Sequence, residues 1–260
     1  MVIYYSASGN SRFIAEQLAE LLDDKCLDLK DRIRSGDNSK LCSKKPFIIC
    51  SPVYVCEMPR FVSYHLKHTK FCGNRNVYFV FTSGGYAGMS GSLAKRIVKN
   101  KKMIYKGHAE IKMPSNHVVS NMYPPTEHDE CVKRINAAVK EVKKLAKIVR
   151  NEGEFKARHV FLYEKMVILP FNPFWAKYMQ PTKGFFTTDK CIGCGLCQKS
   201  CPINNIKIVD KHPVWINKQC AHCMACILNC PFEAIEYADI TQKKEKYNIK
   251  KYLRSGEIDI

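Results

Sequence analysis

Eight of the fourteen cysteines fall in two copies of one pattern, CIGCGLCQKSCP from Cys191 to Pro202 and CAHCMACILNCP from Cys220 to Pro231. Each copy reads C-x2-C-x2-C-x3-C-P, and corresponding cysteines lie 29 residues apart. Two-residue spacers bring three thiolates onto three corners of one cubane. The fourth, held by the turn-forming proline, points away and completes the other. The spacing predicts two [4Fe-4S] clusters, one on Cys191, Cys194, Cys197 and Cys230, the other on Cys220, Cys223, Cys226 and Cys201. Zinc needs only four ligands per site and leaves the third close cysteine and the Cys-Pro ending unexplained. A cubane bound by cysteine at every iron has no open position for substrate, so the expected chemistry is one-electron transfer. His222, between two ligands, reads as a solvated spacer, and Trp215 and Ile216 read as packing over the second cluster.

This stretch, residues 185–240, resembles the bacterial two-cluster ferredoxins, which implies a small α+β module of two pseudo-symmetric halves, each a short hairpin and a helix.

The elements upstream alternate strand, loop and helix. VIYY is a short apolar run, SASGNSR a loop of small hydroxyl residues, and FIAEQLAELL is apolar at helical spacing. Hydroxyls and free N–H groups at a helix N-terminus suit a phosphate. The loop lacks both the Walker ending and the G-x-G-x-x-G of dinucleotide sites. Two further apolar strands, Phe47–Cys50 and Val77–Phe81, run into Ser-Pro-Val-Tyr and Thr-Ser-Gly-Gly loops, each followed by a helix. In an open parallel sheet the carboxyl ends of the strands make the ligand crevice. Three such loops suit a flat aromatic ligand with a phosphate tail. Cys26–Leu29 reads as the second strand, Gly107–Pro114 as the last, and a helix from about Glu127 to Arg150 closes the domain after Pro124-Pro125-Thr126.

The whole chain thus resembles the fused flavodoxin–ferredoxin proteins of anaerobes. The resemblance implies an α/β, flavodoxin-like, doubly wound five-stranded parallel sheet of order 2-1-3-4-5 that binds FMN, followed by the ferredoxin module. It assigns Ser6, Ser8, Gly9, Asn10 and Ser11 to the FMN phosphate. Pro52, Val53 and Tyr54, with Thr82, Ser83, Gly84, Gly85 and Tyr86, fall to the ring, with Tyr54 or Tyr86 stacking on it. The expected division is 1–152 flavodoxin-like domain, 153–184 linker or docking segment, 185–240 ferredoxin domain and 241–260 basic tail.

The formal charge is +18, with 26 Lys and Arg against 14 Asp and Glu in residues 1–152 and five of each in 185–240. Between Met58 and Lys112 eleven basic residues face one acid, Glu110. Arg60, Lys67, Lys95, Arg96, Lys99, Lys101 and Lys102 read as a dock for an acidic redox protein or reductase. No helix-turn-helix, RNP or zinc-finger pattern points to nucleic acid. No run of 18 apolar residues predicts a membrane span, and MVILPFNPFW (Met166–Trp175) reads as a docking segment between domains. The start, MVIYYSASGN, lacks a secretory signal, so a cytoplasmic location with reduced thiols is expected. Cys26, Cys42, Cys50, Cys56, Cys72 and Cys131 then read as buried, inert thiols. His65 and His68 read as a solvated helix face; His117 follows the last strand, with an approach to the flavin as its lesser reading. The function expected is electron transfer between FMN and two clusters to or from a partner protein. The alternatives are an FMN-dependent reductase of a small organic substrate, and a redox-responsive binding protein.

Overall fold

The computed structural model describes residues 1–120 and 125–259, so Pro124 of the expected helix start lies outside the described residues. The first half runs β1 (Val2–Tyr4), α1 (Asn10–Leu21), β2 (Cys26–Asp28), α2 (Lys30–Ser35), β3 (Leu41–Ser43) and β4 (Phe47–Pro52). It continues with α3 (Arg60–His68), β5 (Phe71–Gly73), β6 (Asn76–Ser83), α4 (Ser90–Asn100), β7 (Ile104–Lys112) and α5 (His128–Arg150). Five strands form one parallel sheet of order β2-β1-β4-β6-β7, the flavodoxin-like arrangement. Central β4 is buried at all six residues, and β6 at six of eight, as strands covered by helices on both faces must be.

Two apolar cores flank the sheet. Phe13, Ile14 and Leu18 of α1 meet Ile135, Val139, Val142 and Leu145 of α5 on one side. Val62 and Leu66 of α3 meet Leu93, Ile97 and Val98 of α4 on the other. All are spaced to put one stripe of a helix inward.

Beyond the sheet, α6 (Leu162–Tyr178) precedes β8 (Phe185–Thr187), α7 (Leu196–Ser200), β9 (Ile206–Val209), β10 (His212–Trp215), α8 (Ala225–Leu228), β11 (Ile235–Tyr237) and α9 (Ile249–Ser255). The antiparallel pairs β9–β10 and β8–β11 with the two short helices make the ferredoxin-like module.

Four readings of the sequence change here. Cys42 and Cys72 are not inert buried thiols. They sit opposite each other in the parallel β3–β5 pair and form a disulfide. Cys26 is exposed on the edge strand β2. His65 is buried and hydrogen-bonded to Thr69 Oγ1 at 3.2 Å, because α3 turns that face to the core and only His68 to solvent. The basic tail is a packed helix: Tyr247, Ile249 and Tyr252 join the α1–α5 core.

That C-terminal segment is fixed by a buried ion pair. Lys246 Nζ lies 2.5 Å from Glu236 Oε1, with both side chains at least nine-tenths buried. Thr241 Oγ1 donates to Glu236 Oε2 at 2.5 Å, and Lys246 also donates to Glu233 O at 3.2 Å. Removing one partner leaves the other charge buried and unpaired. Lys246→Met is therefore expected to cost about 3–5 kcal/mol in anaerobic denaturant unfolding; a loss below about 1 kcal/mol would contradict the pairing.

Candidate functional site

The first loop is shaped by a conformation that needs glycine. Gly9 caps α1 at φ 96°, and a Cβ there would sit 2.5 Å from Ile249 Cγ2 of the C-terminal helix. No side chain caps α1, so its first-turn N–H groups are left free for an anion. Ser11 and Thr82 hydroxyls share a 2.7 Å hydrogen bond, which ties the first loop to the end of β6.

These residues open onto one cleft at the carboxyl rim of the sheet. Its lining holds ten of the thirteen residues expected around a flavin: Ser6, Ser8, Asn10, Ser11, Pro52, Val53, Tyr54, Thr82, Ser83 and Gly84. Gly9, Gly85 and Tyr86 lie outside that lining. Tyr86 turns away and takes the Arg158 guanidinium over its ring at 4.8 Å.

Pro114, Ser115, Asn116 and His117 close the cleft from the loop after β7. Asn116 Nδ2 donates to Ser8 Oγ at 2.9 Å, and Asn10 Nδ2 to Pro114 O at 3.0 Å. Lys244 Nζ anchors the same loop through Val118 O (3.0 Å) and Ser120 O (2.7 Å). Of these residues the sequence singled out only His117.

The middle loop is a tight turn. Tyr54 and Glu57 exchange backbone hydrogen bonds at 2.8 and 3.2 Å, with Val55 and Cys56 in the left-handed region at φ 47° and 62°. A β-branched residue there is strained. The turn is held by Met89 N, which donates to Cys56 O at 2.7 Å, and by buried Asn172 of α6, whose Nδ2 donates to Val55 O at 2.9 Å.

The cysteines gather as their spacing predicts. One small cavity is lined by Cys201, Cys220, Cys223 and Cys226, and a second by Cys191, Cys194, Cys197 and Cys230. Among the described residues no three His, Cys, Asp or Glu side chains draw close enough to hold a single metal ion; each set of four rings a space instead.

The two halves are copies in backbone as well as sequence. Asn205 N donates to Cys201 Sγ at 3.2 Å, and its counterpart Ala234 N to Cys230 Sγ at 3.4 Å. Gly193 and Gly195 have φ of 70° and 74°; His222 and Met224, 29 positions on, have 42° and 62°. Glycine tolerates those angles, and histidine and methionine adopt them at a cost.

The first of these cavities meets the sheet domain. Cys223 and Ala225 belong to the same buried core as Tyr5, Met58 and Phe81, with Tyr54 and Ala221 packed against it. Asn229 Nδ2 donates to Ala7 O in the first loop at 2.9 Å, and Arg34 Nη1 to Gln198 O at 2.7 Å.

Among the described residues, three buried donors near these cysteines make no hydrogen bond of ordinary geometry, Tyr5 Oη, Tyr54 Oη and Trp215 Nε1, although the two phenols face each other and Tyr5 faces the Cys223 thiol. Tyr5 is fully buried and Tyr54 partly so, both with their hydroxyls buried beside Cys223, and burial pushes both well above the usual tyrosine range. Buried donors left unpaired are costly, and sulfurs filling the cavity would accept from them. Burial also pushes the thiols up, Cys220 to about 12 and Cys223 to about 11, so a cationic core is needed to hold them as thiolates.

Trp215 lines this cavity as expected, while Ile216 is exposed. His222 is buried rather than a solvated spacer. Its ring meets Phe185 and Tyr237 edge-on, with Nε2 3.0 Å from Pro181 O. The basic residues line adjoining α3 and α4, and Arg60, Lys67, Lys95, Arg96, Lys99 and Lys102 are exposed. Lys101 is the exception: its Nζ donates to Lys67 O (2.9 Å) and Thr69 O (2.6 Å), closing the end of α3.

Residues 183–246 match the 4Fe-4S dicluster domain family, so this module is a two-cluster iron–sulfur domain. A 46-residue stretch is 39% identical to one component of the ion-translocating oxidoreductase complex of Methanosarcina acetivorans. That stretch is 18% of this chain and only 17% of the relative's length. Among solved structures, the chain is similar to rubredoxin oxygen:oxidoreductase of the anaerobe Desulfovibrio gigas (16% identity, 58% of this chain and 35% of that one, TM-score 0.35). It is also similar to a short-chain flavodoxin associated with a bacterial microcompartment (13% identity, 56% of this chain and 97% of that one, TM-score 0.32). Both likenesses are distant.

Burial lowers His117 to about 4, with His222 and Lys244 adding to the shift. Its folded form therefore resists a proton that the unfolded chain accepts below its ordinary value of 6.5. The stability it preserves is whole above about pH 6.5 and lost as pH falls toward 4. In protein free of small ligands, wild type should lose about 1.4 kcal/mol more than His117→Gln between about pH 7.5 and 5.5. Parallel pH profiles from urea unfolding would contradict the assignment.

Proposed function

We propose that the protein carries electrons between a flavin mononucleotide at the sheet rim and two [4Fe-4S] clusters, and through them to or from a separate redox protein. One observation carries the reading: Cys223, one of the four cysteines that ring the inner cavity with Cys201, Cys220 and Cys226, is itself buried in the core of the domain that carries the cleft. On this reading those four residues hold an inner cluster, and Cys191, Cys194, Cys197 and Cys230 an outer one. When bound, clusters supply single-electron steps and a flavin one- or two-electron steps, so paired electrons can be fed or drained singly.

The chain's own residues divide the remaining work. The free N–H groups of α1, with Ser6, Ser8, Asn10 and Ser11, suit a phosphate, and Gly9 admits the tight start of the helix. Pro52, Val53, Tyr54, Thr82, Ser83 and Gly84 present loop backbone and one aromatic ring to a flat ligand. Tyr5, Tyr54 and Trp215 would offer O–H and N–H donors to the sulfurs of an inner cluster.

The outer set lies toward solvent, with Cys194, Ile192, Leu196 and Phe232 exposed around it. That makes it the exit to a partner. The exposed cations of α3 and α4 favour an acidic redox protein, through an attraction that weakens with salt. The Methanosarcina acetivorans relative is a component of an oxidoreductase complex, which fits a carrier serving a larger assembly. A cytoplasmic home suits cluster thiolates that need reducing conditions, although the Cys42–Cys72 disulfide is uncommon there.

Anaerobically prepared protein should contain about eight iron, eight sulfide and one flavin per chain. Hydrogen bonds to cluster sulfurs favour the more negative, reduced state. Tyr54→Phe should therefore lower the inner potential and leave the outer one unchanged in an EPR-monitored titration. A chain without flavin, or a Tyr54→Phe protein with both potentials unmoved, would sink the reading.

A further inference from the structure

Helix α6 leaves most of its surface uncovered. Among the described residues nineteen large hydrophobic side chains are exposed, and ten of them lie between Phe161 and Met179. Leu162 is 73% exposed, Met166 70% and Val167 65%. Only a narrow stripe faces the protein, with Ile168 and Asn172 buried and Glu164 and Trp175 at its margins. That four–four–three spacing traces one line along the helix. The other sides, about 26 Å long for seventeen residues, are apolar and free. Folded domains rarely leave so continuous a patch without an occupant.

The charges around it indicate which occupant. Between Phe161 and Met179 Glu164 is the sole carboxylate, and it is used internally. It pairs with Arg158 at 2.9 Å and accepts from Phe161 N at 2.7 Å. Cations border the patch: Lys156 and Arg158 before the helix, Lys177 within its last turn and Lys183 after it, all exposed. An apolar face with aromatic side chains, a cationic rim and no free anion matches the boundary of an anionic bilayer. A second copy would set the same cations against one another. An acidic protein would be held by charge and would leave ten apolar side chains without use.

The helix is built to lie at such a boundary rather than within it. Among the described residues no helix is long and apolar enough to cross a membrane. Pro170 and Pro173 also deprive the Met166 and Leu169 carbonyls of their helical donors, which then need water or headgroups.

We propose that α6 is an in-plane anchor that seats the protein on an anionic lipid surface. The claim concerns attachment only and does not depend on the redox reading. It is tested by co-sedimenting the intact, cluster-loaded protein with vesicles of phosphatidylcholine, alone or mixed with phosphatidylglycerol. Binding is expected to the mixed vesicles and to weaken as salt rises. Lys177→Gln with Lys183→Gln should reduce partitioning about 30-fold, and Leu162→Glu with Met166→Glu at least as far. These side chains are exposed, so cluster absorbance should stay unchanged; if one pair of changes cannot be prepared, the other pair reads the same claim. Equal binding to both vesicle types, or binding indifferent to the α6 changes, would overturn it. So would a dimer of the unaltered protein that Leu162→Glu with Met166→Glu dissolves, which would make a second copy the occupant.

Discussion

Cys223 and Ala225, from the second cysteine copy, are buried in the same core as Tyr5, Met58 and Phe81 of the sheet domain. Everything else about the arrangement depends on that shared burial. A cluster loop that ended at its own surface would leave Tyr5 and Tyr54 as two phenols buried for nothing. Placed against the sheet, the same loop gives each donor a sulfur neighbour and brings Tyr54, which also lines the cleft, to the boundary between the two candidate cofactor sites.

The boundary is kept closed by a return of the chain. After β11 the backbone crosses back, locked by the Lys246–Glu236 pair, and lays α9 on the sheet domain. Tyr247 Oη donates to Asn10 Oδ1 at 2.7 Å, Asn248 Nδ2 to Leu228 O at 3.0 Å, and Ile249 packs on Gly9. One short segment thus touches the first loop and the helix that carries Cys226 at once. The position of the candidate phosphate loop and that of the inner cysteine set are mechanically linked.

The long apolar runs of β4 and β6, the hydroxyl-rich first loop and the 29-residue cysteine repeat could be read directly, because each carries its own local signal. The sheet order came with the flavodoxin resemblance that those signals support. The loop at Pro114–His117 could not be read as a cleft wall, since its tie to Ser8 spans 108 positions and its composition is ordinary. Tyr5 looked like a strand residue because its neighbour Cys223 arrives only with the second domain. The three-residue strands β3 and β5 are too short to show a period, so the pairing of Cys42 with Cys72 was hidden. In α9 the lysines masked Ile249 and Tyr252, the two residues that bury it. His222 was misread for a related reason: spacing identifies ligands, and says nothing about the aromatic side chains that enclose the residue between them.

The central claim is that flavin and inner cluster exchange electrons inside one molecule. Flash-generated reductant, delivered to the anaerobic holoprotein and followed at cluster and flavin wavelengths, tests it most directly. Exchange within one molecule predicts cluster bleaching followed by flavin bleaching at a first-order rate that does not change with protein concentration. A flavin phase whose rate rises in proportion to protein concentration would mean that electrons pass between molecules, and would contradict it.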